Sequence, residues 1–297
     1  MYLRQFDPWR NKWCTCPLKY SLNPYTGCAN GCVYCYASSY IKDFFRCREK
    51  PYLIEKIKKE IKRISPHTLI SFCNTSDPYP PIESKKMLTR ECLKIFKEHE
   101  MRVLIITKSN IVCRDIDLFK EMFVAVTVTI TTLKEYERLE PNAPTPFERL
   151  KALEKLSKES IPTGLRIDPI IPSINEEEVE KILILAKSAG VKHITASTFK
   201  PRLDGWKRLI KAFPENKELL EDLYLRNGEK YGNSNYLNIS IRKRIIETVR
   251  DICNALNLTF SSCRENLSQY NTSESCDSSH LIEGRCAMHP PSFSNLL

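Results

Sequence analysis

The residues best suited to chemistry gather in one short stretch, Asn23-Pro24-Tyr25-Thr26-Gly27-Cys28-Ala29-Asn30-Gly31-Cys32-Val33-Tyr34-Cys35-Tyr36-Ala37. It holds three cysteines at C-x3-C-x2-C spacing. Soft thiolates suit iron–sulfur sites, and three on one tight loop can hold three irons of a [4Fe–4S] cluster. The loop has no fourth ligand, which leaves one iron open to a small molecule. The alternative is a zinc knuckle or a set of buried structural thiols. Zinc normally takes a fourth protein ligand and C-x2-C pairs. The next cysteine, Cys47, lies twelve residues beyond Cys35, so Cys28, Cys32 and Cys35 are read as cluster ligands.

Such a loop needs a scaffold. The 297 residues suffice for one large α/β barrel or two ordinary domains. A hydrophobic content of 42% fits a globular protein with a real core. No apolar run approaches the ~20 residues that span a bilayer. The opening residues, Met1 to Asp7, lack the apolar core of a signal peptide, so a cytoplasmic location without a membrane partner is expected. Thirteen cysteines, an odd count in a reducing compartment, point to metal or redox chemistry and away from a disulfide framework. The net charge of +10 favours polyanionic partners, nucleic acid first. Much of that charge is ordinary helix surface, as at Lys56, Lys58, Lys59, Lys62 and Arg63.

Apolar runs and helical periodicity alternate along the chain. Strands are predicted over 20–22, 68–73, 102–107, 123–129, 163–167 and 191–198. Helices are predicted over 37–45, 52–64, 85–99, 115–122, 146–158 and from Asn175 to 188. Asn175 and Glu178 are expected to form a capping box at the start of that last helix, and Gly190 to stop it. Six such units predict an α/β fold, a partial (β/α)6 barrel whose chemistry lies beyond the C-terminal ends of its strands. The division expected is a lead-in over 1–19, a core over 20–203, and a helical, cysteine-bearing C-terminal extension over 204–297. In that extension helices are predicted over 204–212, 217–227 and 239–255, a polar loop over 228–238, and one more strand over 258–262. In the lead-in, Cys14-x-Cys16 is too close for a common zinc pair and receives no role.

The cysteine spacing, with Tyr34 before the third thiol, resembles the radical S-adenosylmethionine (SAM) superfamily. The run Asn23-Pro24-Tyr25 through Cys35-Tyr36-Ala37, followed by Thr75-Ser76-Asp77-Pro78, is similar to the spore photoproduct lyase and DNA repair photolyase-like family, over residues 19 to about 202. The resemblance implies that SAM chelates the open iron. It also implies that SAM is cleaved reductively and that a 5′-deoxyadenosyl radical takes hydrogen from a substrate. By the same likeness Tyr34 lies near the adenine, and Ser76 or Asp77 meets the methionyl amine. Lys108 then holds the SAM carboxylate, Thr129 bonds ribose or methionyl groups, and Arg166 reaches SAM or a substrate phosphate. Plain turn, solvent and β-propensity roles compete for each of these. The lyase places a hydrogen-donating cysteine in a Cys-Thr-Ser-Asp run. Here Asn74 is inserted after Cys73, and one extra residue turns a strand side chain to the other face. Cys73 is therefore named as donor against its alternative, a buried thiol.

Lys200 and Arg202, after the sixth strand, are expected at the rim where a polyanion lies. Cys263, Cys276 and Cys286 are candidates for a second metal site, an auxiliary iron–sulfur cluster or zinc, which helps explain an ordered polar tail. Cys253 is assigned to helix core. The function expected is a radical SAM enzyme, lyase-like, acting on nucleic acid in repair or modification, with ferredoxin or flavodoxin as electron donor. Two other readings stand beside it. One keeps the chemistry with a protein or small-metabolite substrate. The other is a non-catalytic, metal-stabilised nucleic-acid-binding module.

Overall fold

A computed structural model describes residues 1–6, 13–72 and 74–282. Seven parallel strands form one sheet in chain order: β1 (Tyr20–Leu22), β2 (Leu69–Phe72), β3 (Arg102–Thr107), β4 (Phe123–Thr129), β5 (Thr163–Ile170), β6 (His193–Thr198) and β7 (Thr259–Ser262). A two-residue strand, Arg4–Gln5, pairs antiparallel with β1 at one edge. β7 pairs with β6 at the other edge, Thr259 opposite His193. The sheet curls without closing, as a partial barrel does. The principal helices are α1 (Leu53–Glu60), α2 (Leu88–Glu98), α3 (Pro146–Lys158), α4 (Val179–Ser188), α5 (Leu203–Ala212) and α6 (Ile239–Ala255). No helix among the described residues is long and apolar enough to cross a membrane.

Period-two alternation sets the two faces of the sheet. On β4, Val124, Val126 and Val128 join the main core with residues of the surrounding helices. The alternate residues, Ala125, Thr127 and Thr129, face the barrel interior. On β5 and β6 the inner positions are Gly164, Arg166, Thr195 and Ser197. A polar interior needs polar filling, and the C-terminal segment supplies it. Ser278 Oγ accepts from Thr127 at 3.0 Å, the Cys276 carbonyl accepts from Thr195 at 2.7 Å, and the Ser275 carbonyl accepts from Ser261 at 3.2 Å. Leu281 and Ile282 then cover Leu69, Leu104 and Ala125 at the apolar end of the interior. A Cβ on Gly164 would lie 2.1 Å from Ser278 Oγ, so this strand position admits no side chain while the tail is in place.

Several local expectations are corrected. The helix predicted over 37–45 shrinks to a 3₁₀ turn, Ala37–Ser39. The Phe44 carbonyl instead accepts from the Cys28 amide at 2.7 Å, and Asp43 takes φ +51. The helix over 85–99 breaks at Met87, φ +52, into Glu83–Lys86 and α2. The buried Glu83 carboxylate accepts from the Thr89 amide at 3.0 Å and stabilises the new helix start. Asn175 and Glu178 do not form a capping box. Asn175 bonds the Ile171 amide and the Thr131 and Pro169 carbonyls. Glu178 bonds Thr132 and the Leu133 amide. The box forms at Thr145 and Glu148, which open α3. The polar loop over 228–238 contains a hairpin, Glu229–Tyr231 against Ser234–Tyr236.

Candidate functional site

The cysteine loop leaves β1 and crosses the C-terminal end of the sheet. Gly27, at φ +80, passes so close to the next segment that a Cβ would meet the Phe44 and Arg46 carbonyls at 2.5 Å. Gly31 turns the loop at φ +68. The Val33 amide donates to the Leu139 carbonyl at 3.0 Å, and the Asn142 amide to the Asn30 carbonyl at 3.2 Å. From α5, Arg208 donates to the Val33 carbonyl at 3.1 Å and the Cys35 carbonyl at 2.8 Å.

Cys28 and Cys32 are buried, Cys35 is half-buried, and none is in a disulfide. All three border a cavity of about 460 Å³, within the range of cofactor pockets. Burial pushes the Cys28 thiol up to about 12 and raises Cys32 and Cys35 as well. Backbone amides oppose this, those of Asn30 and Asp77 at Cys28 and those of Ala37 and Ser38 at Cys35. Amides aimed at buried sulfurs fit an iron–sulfur cluster, whose thiolates are stabilised by iron and by such hydrogen bonds. The donor set thus fits the group that the sequence implies.

Around the cavity the strand ends arrange themselves as follows. Asp77 is 6% exposed and accepts from Thr107 Oγ1 (2.6 Å), the Lys108 amide (2.7 Å), the Tyr79 amide (2.9 Å) and Asn30 Nδ2 (3.3 Å). Four bonds fill the lone-pair sites of a carboxylate. Asp77 therefore ties the β3 end to the cysteine loop. Ser76 borders the cavity with its hydroxyl 3.4 Å from Asn23 Oδ1. Lys108 Nζ lies 5.6 Å from the Tyr34 ring centre and 3.8 Å from Glu140 Oε1. Burial opposes its charge, but Cys32 and Glu140 outweigh that and raise it. Tyr34 donates to Glu140. The Thr129 carbonyl accepts from Arg149 at 3.1 Å, and Thr129 also borders the cavity. Arg166 grips Asp168 through Nε (3.0 Å) and Nη2 (2.8 Å) and bonds the Cys263 sulfur.

The structure thus brings Cys28, Cys32, Cys35, Tyr34, Ser76, Asp77, Lys108, Thr129 and Arg166 to one cavity. Cys73 lies outside the described residues. Lys200, expected at the rim, is held by the buried Glu265 at 2.5 Å. Arg202 stands 5.6 Å from the Tyr40 ring centre. Cys253 is fully buried on α6. Of the tail cysteines, Cys263 and Cys276 touch each other, and Cys286 lies outside the described residues. Sequence reasoning passed over Glu140, Arg149 and Arg208. Glu140 and Arg149 form a buried pair at 2.5 Å, each 1% exposed. Their only local signal is that they flank the proline-rich turn before α3.

The model of the Radical SAM superfamily matches residues 22–186, more than half of the chain, and the chain belongs to that superfamily. Over 168 residues it is 35% identical to an uncharacterized protein of Methanocaldococcus jannaschii, covering 54% of this chain and 63% of that one. Over 188 residues it is 29% identical to an uncharacterized protein of Acidianus two-tailed virus, covering 57% and 62%. The matched stretch is thus less than two thirds of either relative. Radical SAM Nalpha-GlyT isomerase of Pseudomonas phage M6 is 22% identical over 82% of this chain and 53% of its own. Among solved structures, spore photoproduct lyase superposes with a TM-score of 0.67 at 17% identity, covering 88% of this chain and 78% of that one. A lyase variant with bound AdoMet and dinucleoside spore photoproduct gives 0.66. At this identity the likeness establishes the fold.

Proposed function

We propose that this protein is a radical SAM enzyme in which Cys28, Cys32 and Cys35 hold a [4Fe–4S] cluster and the adjoining cavity takes SAM. The observation that carries the proposal is the meeting of three undisulfided thiols, amide donors at two of them, and one sizeable cavity at the strand ends. When bound and reduced, the cluster supplies the electron that cleaves SAM to a hydrogen-abstracting radical. The chain's own residues position and enclose. Asp77 fixes the loop against β3, Arg208 fixes it against α5, and Glu140 holds Tyr34 beside Lys108. Lys108 is the cation placed to meet the methionyl carboxylate, and Ser76 and Thr129 offer hydroxyls. Keeping water from the bound group is what such a site must do to protect a reactive radical.

Replacing Lys108 by Met is expected to weaken SAM binding by roughly 10–100-fold, the loss of one hydrogen bond to a charged group. Calorimetric titration of the reconstituted protein measures it, and an unchanged affinity assigns the carboxylate to another residue.

For the substrate we favour nucleic acid, with reversal of a base lesion or base modification as the reaction class. The excess of 46 basic over 36 acidic residues supports this. One observation favours a protein or small-metabolite substrate instead. Four of the six lysines and arginines that line the cavity, Lys19, Lys108, Arg166 and Lys200, each face a carboxylate, of Asp277, Glu140, Asp168 and Glu265. The deciding experiment is anaerobic reconstitution with iron and sulfide, reduction, and assay of 5′-deoxyadenosine. Ferredoxin or flavodoxin is the expected physiological reductant. A protein carrying its iron that releases none sinks the enzyme reading. Retention on DNA or RNA that falls steeply with salt supports nucleic acid, and retention indifferent to salt shifts the substrate to the second class.

A further inference from the structure

A second group of thiols lies across the same cavity from the cysteine loop, with Cys14, Cys16 and Cys263 on the cavity wall. Cys14 and Cys16 come from the lead-in, Cys263 from the residue after β7, and Cys276 from the segment inside the barrel. Cys14 touches Cys16, Cys16 Sγ lies 3.3 Å from Cys276 Sγ across 260 residues of sequence, and Cys276 touches Cys263. None of the four is in a disulfide. The lead-in is held in place independently of them, since the Trp13 ring packs edge-on against Tyr231 (4.5 Å) and Tyr236 (5.8 Å). Cations surround the group: Arg166 bonds Cys263, Arg264 neighbours Cys263, and Lys19 neighbours Cys16 and Cys276.

We propose that Cys14, Cys16, Cys263 and Cys276 bind one thiophilic metal ion, zinc, in a structural site that staples the lead-in to the C-terminal segment. Four thiolates make the closed, all-sulfur set of structural zinc. The divalent ion with four thiolates carries two net negative charges, which the neighbouring cations offset in part, Lys19 and Arg166 being shared with Asp277 and Asp168. The spacing of the sulfurs separates one ion from a cluster. A tetrahedron with bonds of about 2.3 Å has sulfur–sulfur edges of about 3.8 Å, close to the Cys16–Cys276 separation of 3.3 Å. Cysteines on different irons of a cubane stand farther apart. Among the described residues no three such side chains are already disposed about one ion position. The four sulfurs instead follow one another in a chain of contacts, as thiols that hydrogen-bond one another do, and side-chain rotation closes them into a tetrahedron. The single residue between Cys14 and Cys16 departs from the usual zinc pair, and the remaining two ligands come from distant sequence. A metal tie would add to the ring packing that already holds residues 13–16 in place, joining them to the segment around Cys276.

The site stands whether or not the first loop carries a cluster, so its test removes that loop's ligands. The full chain with Cys28, Cys32 and Cys35 all changed to Ala, purified without chelator, is expected to hold about one zinc. Cobalt exchanged into it should show the absorption of a tetrahedral thiolate site. Adding Cys16→Ser and Cys276→Ser should remove both signals. Absence of metal, a Cys16–Cys276 disulfide found by mass spectrometry, or iron with inorganic sulfide would each overturn the proposal. Should the triple variant fail to fold, zinc-edge X-ray absorption of the wild-type chain decides the matter. Four sulfur neighbours at about 2.3 Å uphold the site, and nitrogen or oxygen neighbours, or no bound zinc, reject it.

Discussion

Changing Cys32 to Ser is expected to strip the cluster from the reconstituted protein and to end SAM cleavage. Cys32 is buried at the cavity wall beside Lys108 and Glu140. A serine hydroxyl is a hard, poorly ionised donor, and iron in such a cluster wants a soft thiolate. Partners that only orient a ligand cost about 10–100-fold when lost, so loss of a ligand itself should reduce 5′-deoxyadenosine release by more than ~100-fold. The measurements are iron and sulfide content, the thiolate-to-iron absorption, and product release under reducing, oxygen-free conditions. The fold should persist, because the loop is stitched by the backbone bonds of Cys28, Val33 and Asn142 and by Arg208 rather than by this sulfur. A variant that keeps its iron and its cleavage activity removes Cys32 from the ligand set.

The second large effect is on stability. Arg149→Met leaves Glu140 buried with its strongest partner gone. Arg149 bonds Glu140 (2.5 Å), the Thr129 carbonyl (3.1 Å) and the Pro144 carbonyl (2.7 Å). Breaking a buried pair by removing one member typically costs about 3–5 kcal/mol. For a chain of 297 residues that is a fall in melting temperature of roughly 5–8 °C. Adding Glu140→Gln should restore part of it, since the orphaned charge is what costs most. The pH dependence has a definite sign. Burial alone would raise the Glu140 carboxyl, but Arg149, Lys108 and Tyr34 hold it below the ordinary carboxylate range. Its stabilisation in the wild-type chain is therefore present above the unfolded carboxylate value and lost as pH falls through the lower, folded value. In Arg149→Met the carboxyl loses its guanidinium and burial raises it. The stability gap between the two proteins should then be widest near neutrality and narrow on acidification. Thermal melts across pH check this, and a gap that widens in acid refutes the assigned role of the pair.

Glu140 and Arg149 also mark the boundary between what was legible and what was not. Neither has a periodic pattern, a motif or a telling neighbour. Their importance arises because β4 and the turn before α3 meet behind the cysteine loop. The capping residues teach the same lesson at short range. Asn175 with Glu178 and Thr145 with Glu148 carry the same local signature. In the first pair the tertiary structure draws both side chains to the backbone between Thr131 and Leu133, or to Ile171 and Pro169. In the second nothing competes, and the box forms.

What the amino-acid order determined alone was everything carried by adjacent residues. C-x3-C-x2-C put three thiols on one loop, and the alternation of β-branched runs with amphipathic stretches made a parallel sheet with helices outside. Both signals are local, since ligand spacing and residue periodicity need no partner elements. The tertiary structure alone decided the partners. It gave the Asp77 carboxylate to the loop and the β3 end, and it paired the Lys200 ammonium, which borders the cavity, with Glu265. It sent a polar tail into a polar barrel interior, where Cys14 and Cys16 meet Cys263 and Cys276. Such pairings depend on which strand ends share a cavity. Contacts across more than two hundred residues are written in no short stretch of the chain.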